Sequence, residues 1–202
     1  MLSHRPTLVA LTLSLSMLTA ALPMVAQAAS KHATHETPAK PAQPKTLKVS
    51  TLGGKFAFTL PAGYTANPLP AGDAGQGTEG ASGTMYLNEA LKRVVIVTES
   101  PIPDGIKVTD NDDAFLDNAA AGLSSQQRAG LPDYQKLSEK SMKLNTLGLR
   151  QIDSSGTMGG GKTLTTTLVA GSGTRMTAIE VVSRAADQAG HDAFVQQILS
   201  AK

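Results

Sequence analysis

The chain has 202 residues, enough for one ordinary domain behind a leader, with a formal net charge of +2. So weak a positive charge cannot concentrate nucleic-acid phosphates or anionic lipids, so we expect neither as a partner. Cysteine is absent, which excludes disulfides, thiol nucleophiles, thiolate metal sites and the cysteine of a lipoprotein signal.

Residues 1–28 have the layout of a secretory signal peptide. A basic start with Arg5 precedes an apolar run over residues 8–25, and small residues lead to Ala28. We therefore expect cleavage after Ala28, a net charge of +1 in the remaining chain, and a periplasmic or secreted protein without a stable membrane anchor. The alternative is an anchor that is retained, although the apolar run is near the lower limit for spanning a bilayer.

Residues 29–46 are predicted to form a disordered linker. They contain three prolines and no large apolar side chain, so they cannot bury enough surface to offset the entropy of ordering. His32, His35 and Glu36 have a spacing that could bind a metal ion, but a flexible backbone would not hold the three ligands in place. A solvated tail is therefore the preferred interpretation.

The domain is predicted to begin at residue 47. Apolar Phe56, Phe58 and Leu60 alternate with other residues, which is typical of a half-buried strand, and a shorter strand over 47–50 is expected to precede it through a glycine turn. Residues 61–83 are rich in glycine and proline. We interpret them as a long loop without structure of its own, either functional or disordered.

The middle of the chain predicts a strand pair followed by a helix. Strands are expected over 85–88 and 94–98, the second of them central because it is apolar on both faces. The acidic run 110–113 offers oxygen atoms that cap a helix running to about Arg128. A calcium loop is the alternative, but the required glycine and distal glutamate are missing from the pattern.

The C-terminal half predicts an antiparallel meander and a closing helix. Four β-rich segments are separated by turn-sized gaps, and the helix is expected to start near Ala186. One apolar stripe of that helix should be buried. The four segments are 134–144, 149–158, 162–169 and 176–183, and the stripe contains Phe194, Val195, Ile198 and Leu199.

Residues 156–163 match the phosphate-loop pattern G-x-x-x-x-G-K-[ST] letter for letter. A phosphate loop needs a helix directly after it, because the helix N-terminus and successive N–H groups hold the phosphates. Here the following residues 163–169 are threonine-rich and alternate as a strand does. We therefore predict a hairpin turn in which Lys162 begins the next strand.

No other pattern predicts catalysis, and we assign no catalytic, cofactor-binding or metal-binding residue. His191 is the only histidine of the domain. It lies beside Asp192 and is expected on the solvent-exposed face of the last helix. Glu99 and Glu180 lie in strand-like runs and are expected to be solvated at edges. We therefore expect a protein that is not an enzyme and uses no cofactor.

Four segments in the same order resemble the DcrB family of bacterial envelope proteins. The run GKFAFTLPAG at 54–63 resembles that family's "GK-hydrophobic-x-F-x-LP" opening, and later segments resemble it collinearly over about residues 47–202. These later segments are RVVIV at 93–97, the region from Lys143 to Asp153, and the C-terminal region from Ala185 to Leu199.

The resemblance implies an α+β fold, a single α/β sandwich in which helices flank a twisted antiparallel sheet, as in the PsbP and Mog proteins. Known members are periplasm-facing lipoproteins associated with envelope maintenance and phage uptake, without established catalytic residues. This sequence departs from them in having no lipoprotein cysteine. We expect a non-enzymatic periplasmic protein that binds a protein or envelope component through its sheet or the 61–83 loop.

Two alternatives from other classes stay open. One is a carrier or sensor of a small molecule or lipid, with a pocket lined by Leu, Val and Met between sheet and helices. The other is a hydrolase, which would require His191 within hydrogen-bonding reach of a serine and a buried carboxylate.

Overall fold

The computed structural model describes residues 45–76 and 78–200, which form nine β-strands and two α-helices. The strands are β1 Leu47–Thr51, β2 Phe56–Leu60, β3 Thr65–Pro68, β4 Ser82–Asn88, β5 Arg93–Pro101, β6 Gln135–Leu144, β7 Leu147–Met158, β8 Gly161–Ser172 and β9 Arg175–Arg184. The helices are α1 Asp113–Gly130 and α2 Gln188–Leu199. The predicted signal peptide, almost all of the predicted linker and the histidine cluster at 32–36 lie outside the described residues.

Seven strands form one antiparallel sheet in the order β3-β4-β5-β9-β8-β7-β6. The meander β6 to β9 returns the chain to the middle of the sheet, where β9 pairs with β5. Helix α1 connects β5 to β6 and packs across β7 and β8. This arrangement confirms the predicted α/β sandwich of an antiparallel sheet with flanking helices.

One face of the sheet, called here the α2 face, is covered by α2 and by the separate hairpin β1-β2. The hairpin contributes the predicted alternation, because its residues from Phe56 to Leu60 are buried and exposed in turn. Helix α2 buries Phe194, Val195 and Ile198, as expected from their spacing, while Leu199 is partly buried. Most of the apolar core lies in this layer.

The opposite face, called the α1 face, has a thinner apolar layer. Ala120 of α1 packs against Ile152 and Val169, and small helix residues permit this close approach. The helix is capped by Asp112, whose carboxylate accepts a hydrogen bond from the N–H of Phe115 at 3.0 Å, which confirms the capping interpretation. The buried positions of α1 are Leu116, Ala120 and Ser124.

Ion pairs tie α1 to the sheet. Arg150 on β7 is buried, and its guanidinium contacts the carboxylates of Asp113 at 2.9 Å and Asp117 at 2.7 Å. These two aspartates are one helical turn apart and so present both carboxylates to a single arginine. The rest of the acidic run is also engaged, because Asp110 pairs with Lys55 at 2.7 Å.

The phosphate-loop pattern is a hairpin, as predicted. Strand β7 ends at Met158, opposite Gly161 of β8, so only Gly159 and Gly160 form the turn. Both have positive φ, 56° and 76°, which a two-residue turn of this kind requires. The side chain of Lys162 is held by the carboxylate of Asp133, and the segment that follows it is a strand.

The prediction of a structureless loop over 61–83 is wrong. The segment contains β3, which pairs with β4, and its remainder extends this hairpin through backbone bonds between Leu69 and Gly83 and between Gly72 and Ala81. It forms the outer edge of the sheet, where few apolar residues are needed. Among the described residues, no helix is long and apolar enough to cross a bilayer.

Substitution of Gly160 by Ala should lower the free energy of unfolding by about 1–2 kcal/mol, because an L-residue is strained at positive φ. The matched control is Gly122 to Ala in the interior of α1, where an added Cβ would meet nothing within 4 Å. That change should raise stability by about 0.5–1 kcal/mol, because alanine loses less entropy in a helix. Urea unfolding of both variants measures the two effects. If both substitutions changed the free energy of unfolding in the same direction, the positive φ at Gly160 would be contradicted.

Candidate functional site

A cleft of about 330 Å³ lies on the α2 face, between α2 and the sheet strands β6, β7 and β8. We call it the α2 cleft. Its floor is formed by side chains of the three strands, and one wall is formed by α2. The lining contains Leu137, Ser138, Lys140, Gln151, Asp153, Ser154, Leu164, Thr165, Thr166, Gln188, His191, Asp192, Val195 and Gln196.

A continuous chain of hydrogen bonds runs under the cleft and links neighbouring strands. His191 of α2 joins two strands, because its Nδ1 is 3.0 Å from Ser183 Oγ on β9 and its Nε2 is 2.9 Å from Thr166 Oγ1 on β8. Arg93 Nε of β5 donates to Ser183 Oγ at 3.1 Å, and Thr166 Oγ1 donates to Asp153 Oδ1 of β7 at 2.8 Å. We call these five residues the cross-strand network.

The charges at the two ends of the network determine where its protons lie. An arginine only donates and a carboxylate only accepts, so Thr166 must donate to Asp153 and accept from His191. His191 therefore carries a proton on Nε2. When the imidazole is neutral, Nδ1 accepts the hydroxyl proton of Ser183, and every hydroxyl in the network is then both donor and acceptor.

Burial and neighbouring charges reinforce this protonation state. Burial lowers the pKa of His191 and the charge of Arg93 lowers it further, while nearby aspartates, Asp192 first, act in the opposite direction. For Asp153, burial alone would raise the pKa, but hydrogen bonds from Ser138, Gln151 and Thr166 together with the charge of Lys140 lower it. Asp153 is therefore an ionised carboxylate with its acceptor sites occupied.

The expectation that His191 lies on the solvent-exposed face of its helix is wrong. Its side chain is 3% exposed and faces the sheet, because polar partners are available there at Ser183 and Thr166. The requirement for a hydrolase is only half met. Within the described chain no carboxylate bonds directly to His191, and Ser183 is 1% exposed and held between Arg93 and His191.

The cleft between sheet and helix exists, but its lining differs from the predicted Leu, Val and Met. Polar side chains outnumber Leu137, Leu164 and Val195 in the lining. A lipid carrier needs a mostly apolar pocket, so this lining is a poor match for a lipid.

Both strand glutamates are engaged rather than solvated. Glu99 accepts the N–H of Leu52 at 2.8 Å, and this bond joins the β1-β2 hairpin to the main sheet. Glu99 also pairs with Arg175 of β9. Glu180 on the α1 face accepts a hydrogen bond from Gln127 at 3.2 Å, and burial raises the pKa of this carboxyl. The amide oxygen of Gln127 is buried without a donor among the described residues.

Sequence reasoning missed the network, although a signal was present. In each strand the network residue occupies a position of the same parity as the apolar core residues, so it points inward with them. Ser183 follows Ile179 and Val181 at intervals of two, and Arg93 precedes Val95 and Val97 in the same way. Polar residues at inward positions of several strands indicate a shared buried network.

Comparison with known proteins identifies the fold. The solution structure of the cyanobacterial PsbP protein (CyanoP) from Synechocystis sp. PCC 6803 is similar with a TM-score of 0.58 and 7% identity, over 83% of this chain and 96% of that chain. A protein of unknown function from Pseudomonas aeruginosa, PA94, matches with a TM-score of 0.42 and 12% identity, over 78% of this chain and 96% of that chain. No family model and no curated protein matches the sequence. The PsbP-like fold is thus confirmed, while the resemblance to the DcrB family stays a prediction.

The neutral state of His191 predicts a loss of stability in mild acid. Since its folded pKa is lowered from 6.5, the unfolded chain binds the proton first, and the free energy of unfolding should fall as pH decreases below about 6.5. His191→Gln removes this titration while leaving an amide that can donate to Thr166. Urea unfolding from pH 7.5 to 5 should give a clear slope for the wild type and a smaller one for the variant. Parallel curves would show that His191 is not held neutral.

The raised pKa of Glu180 predicts a dependence of stability on pH that is opposite in sign to that of His191. Its folded pKa is raised above 4.5, so its contribution is present below that pH and is lost as pH rises through the folded value. Glu180→Gln should raise stability at pH 7 by about 1 kcal/mol, because the new amide can donate to the unpaired oxygen of Gln127. The control Glu99→Gln removes a charged partner of Arg175 and should destabilise. Thermal unfolding of both variants tests these two expectations. A lower unfolding temperature for Glu180→Gln than for the wild type would contradict the prediction for Glu180.

Proposed function

We propose that this chain is a non-enzymatic protein of the bacterial periplasm that binds a protein or envelope component in the α2 cleft. The observation that carries the proposal is the contrast between the two sides of the cleft. The buried network beneath it is internally satisfied, whereas Gln188, Asp192 and Gln196 of α2 present side chains that have no hydrogen-bond partner among the described residues. Such groups are suited to recognition, because the polar groups of a bound partner can replace the water that hydrates them.

The groups on the wall lie in a regular row. Gln188, Asp192 and Gln196 are spaced by four residues, so they form one stripe along α2. None of the three side chains makes a hydrogen bond or ion pair within the described residues. Rigid placement of this stripe follows from the contacts that hold α2 to the sheet.

The non-enzymatic part of the proposal rests on the state of the hydroxyl groups. Ser183 and Thr166 are the hydroxyls nearest to His191, and both are buried and already committed in the cross-strand network. A nucleophile needs a reachable hydroxyl beside a base that can accept its proton. Ser138 faces the cleft, but its hydroxyl donates to Asp153, whose lowered pKa makes it a weak base.

The envelope role and the periplasmic location rest on the predicted signal peptide and on the resemblance to the DcrB family. A second candidate is a carrier of a small polar molecule, which is favoured by one observation. The cleft volume of about 330 Å³ is at the lower end of the range for small-molecule sites.

Site-specific photocrosslinking in the periplasm tests the binding site. A photoreactive residue at Gln196, in the cleft wall, should capture a discrete partner, whereas the same residue at Asn118, exposed on α1, should not. Excess unlabelled native protein should compete for the adduct. Identical adducts from both positions would refute the assignment to the cleft. A small ligand that is seen by native mass spectrometry, with no protein adduct, would replace the first candidate by the second.

A further inference from the structure

We infer that the α2 cleft takes an extended peptide segment of the partner that carries a lysine or arginine side chain, with Asp192 as the group that recognises the cation. This inference rests on the proposed function and names the chemistry of its binding site.

The charge balance of the cleft favours a cation. Three acidic or basic side chains line it besides His191, namely Asp153, Lys140 and Asp192, and burial lowers the pKa of His191, which favours its neutral form. Lys140 Nζ lies 3.8 Å from Asp153 Oδ2, so those two charges offset each other. The excess negative charge therefore belongs to Asp192, which is exposed and makes no hydrogen bond or ion pair within the described residues.

Asp153 itself is not free to bind a cation. Its two carboxylate oxygens accept hydrogen bonds from Ser138, Gln151 and Thr166 at 2.6–3.0 Å. A carboxylate has room for about four such bonds, so these donors occupy it. Recognition by charge in this cleft therefore depends on a single residue.

The remaining lining suits an alkyl stem and a peptide backbone. Leu137, Leu164 and Val195 provide apolar surface for the methylene groups of a lysine or arginine, and Leu137 is 56% exposed. Gln188 and Gln196 flank Asp192 one helical turn away on each side, and a side-chain amide can both donate to and accept from a peptide unit.

The dimensions agree with a short extended segment. From Gln188 to Gln196 the helix rises about 12 Å, at 1.5 Å per residue. An extended chain advances about 3.3 Å per residue, so roughly three to four residues would span the stripe. The described lining contains no Phe, Tyr or Trp side chain, and His191 is buried, so the rings of sugars or bases would find no exposed stacking partner there.

Binding of blocked tetrapeptides to the protein, expressed from the full sequence, tests the inference. Ala-Lys-Ala-Ala amide, with a fluorescent label on its N-terminal nitrogen in place of an acetyl group, should bind more tightly than the norleucine or glutamate analogue, as measured by fluorescence anisotropy at low salt. Asp192→Asn should reduce the affinity for the lysine peptide by roughly two- to fivefold, as expected for one partly screened ion pair. The control Glu89→Gln removes an exposed carboxylate from the β4–β5 turn and should leave the affinity unchanged.

Equal binding of the lysine and norleucine peptides, or unchanged affinity in Asp192→Asn, would overturn the inference. Binding of free butylammonium as tightly as the lysine peptide would also overturn it, because the peptide backbone would then contribute nothing. If any of these three results occurs while a photoreactive residue at position 196 still crosslinks a partner, only the ligand chemistry is wrong and the proposed function stands. Circular dichroism of Asp192→Asn confirms that the variant is folded.

Discussion

The cross-strand network is the interaction on which the placement of α2 depends. It takes one residue from each of four neighbouring strands, Arg93 of β5, Ser183 of β9, Thr166 of β8 and Asp153 of β7, and His191 closes the gap between β9 and β8. Because a buried polar group without a partner costs free energy, each link constrains the next. The helix is thereby fixed in register with the sheet and not merely pressed against it.

Arg93 has an additional role at the start of α2. Its guanidinium bonds to Asp187 at 2.8 Å and lies 4.9 Å from the ring centroid of Phe194. Asp187 also caps α2 by accepting the N–H of Gly190. One buried cation therefore holds the cap, the first turns and an aromatic anchor of the same helix, which accounts for a rigid wall beside the cleft.

On each face of the sheet, a buried arginine holds a helix through aspartate side chains. On the α1 face, Arg150 draws α1 onto β7 and β8. On the α2 face, the α2 cleft lies beside residues 137–140 of β6 and residues 151–154 of β7. Most of the residues that line this cleft are polar. On the edge strand β6, the lysines and the bulge near Lys136 disfavour pairing with another sheet.

Local sequence patterns were enough to predict the alternating strands, the glycine turn at 159–160, the cap at Asp112 and the buried stripe of α2. These follow from interactions between residues close in the chain, which periodicity and turn chemistry record. The strand within 61–83 and the burial of His191 depend instead on contacts between distant parts of the chain. Strand β3 exists because β4 offers it hydrogen bonds, and His191 faces inward because Thr166, 25 residues away in the chain, completes its bonding. Such partners are distant in sequence, so local patterns carry no record of them.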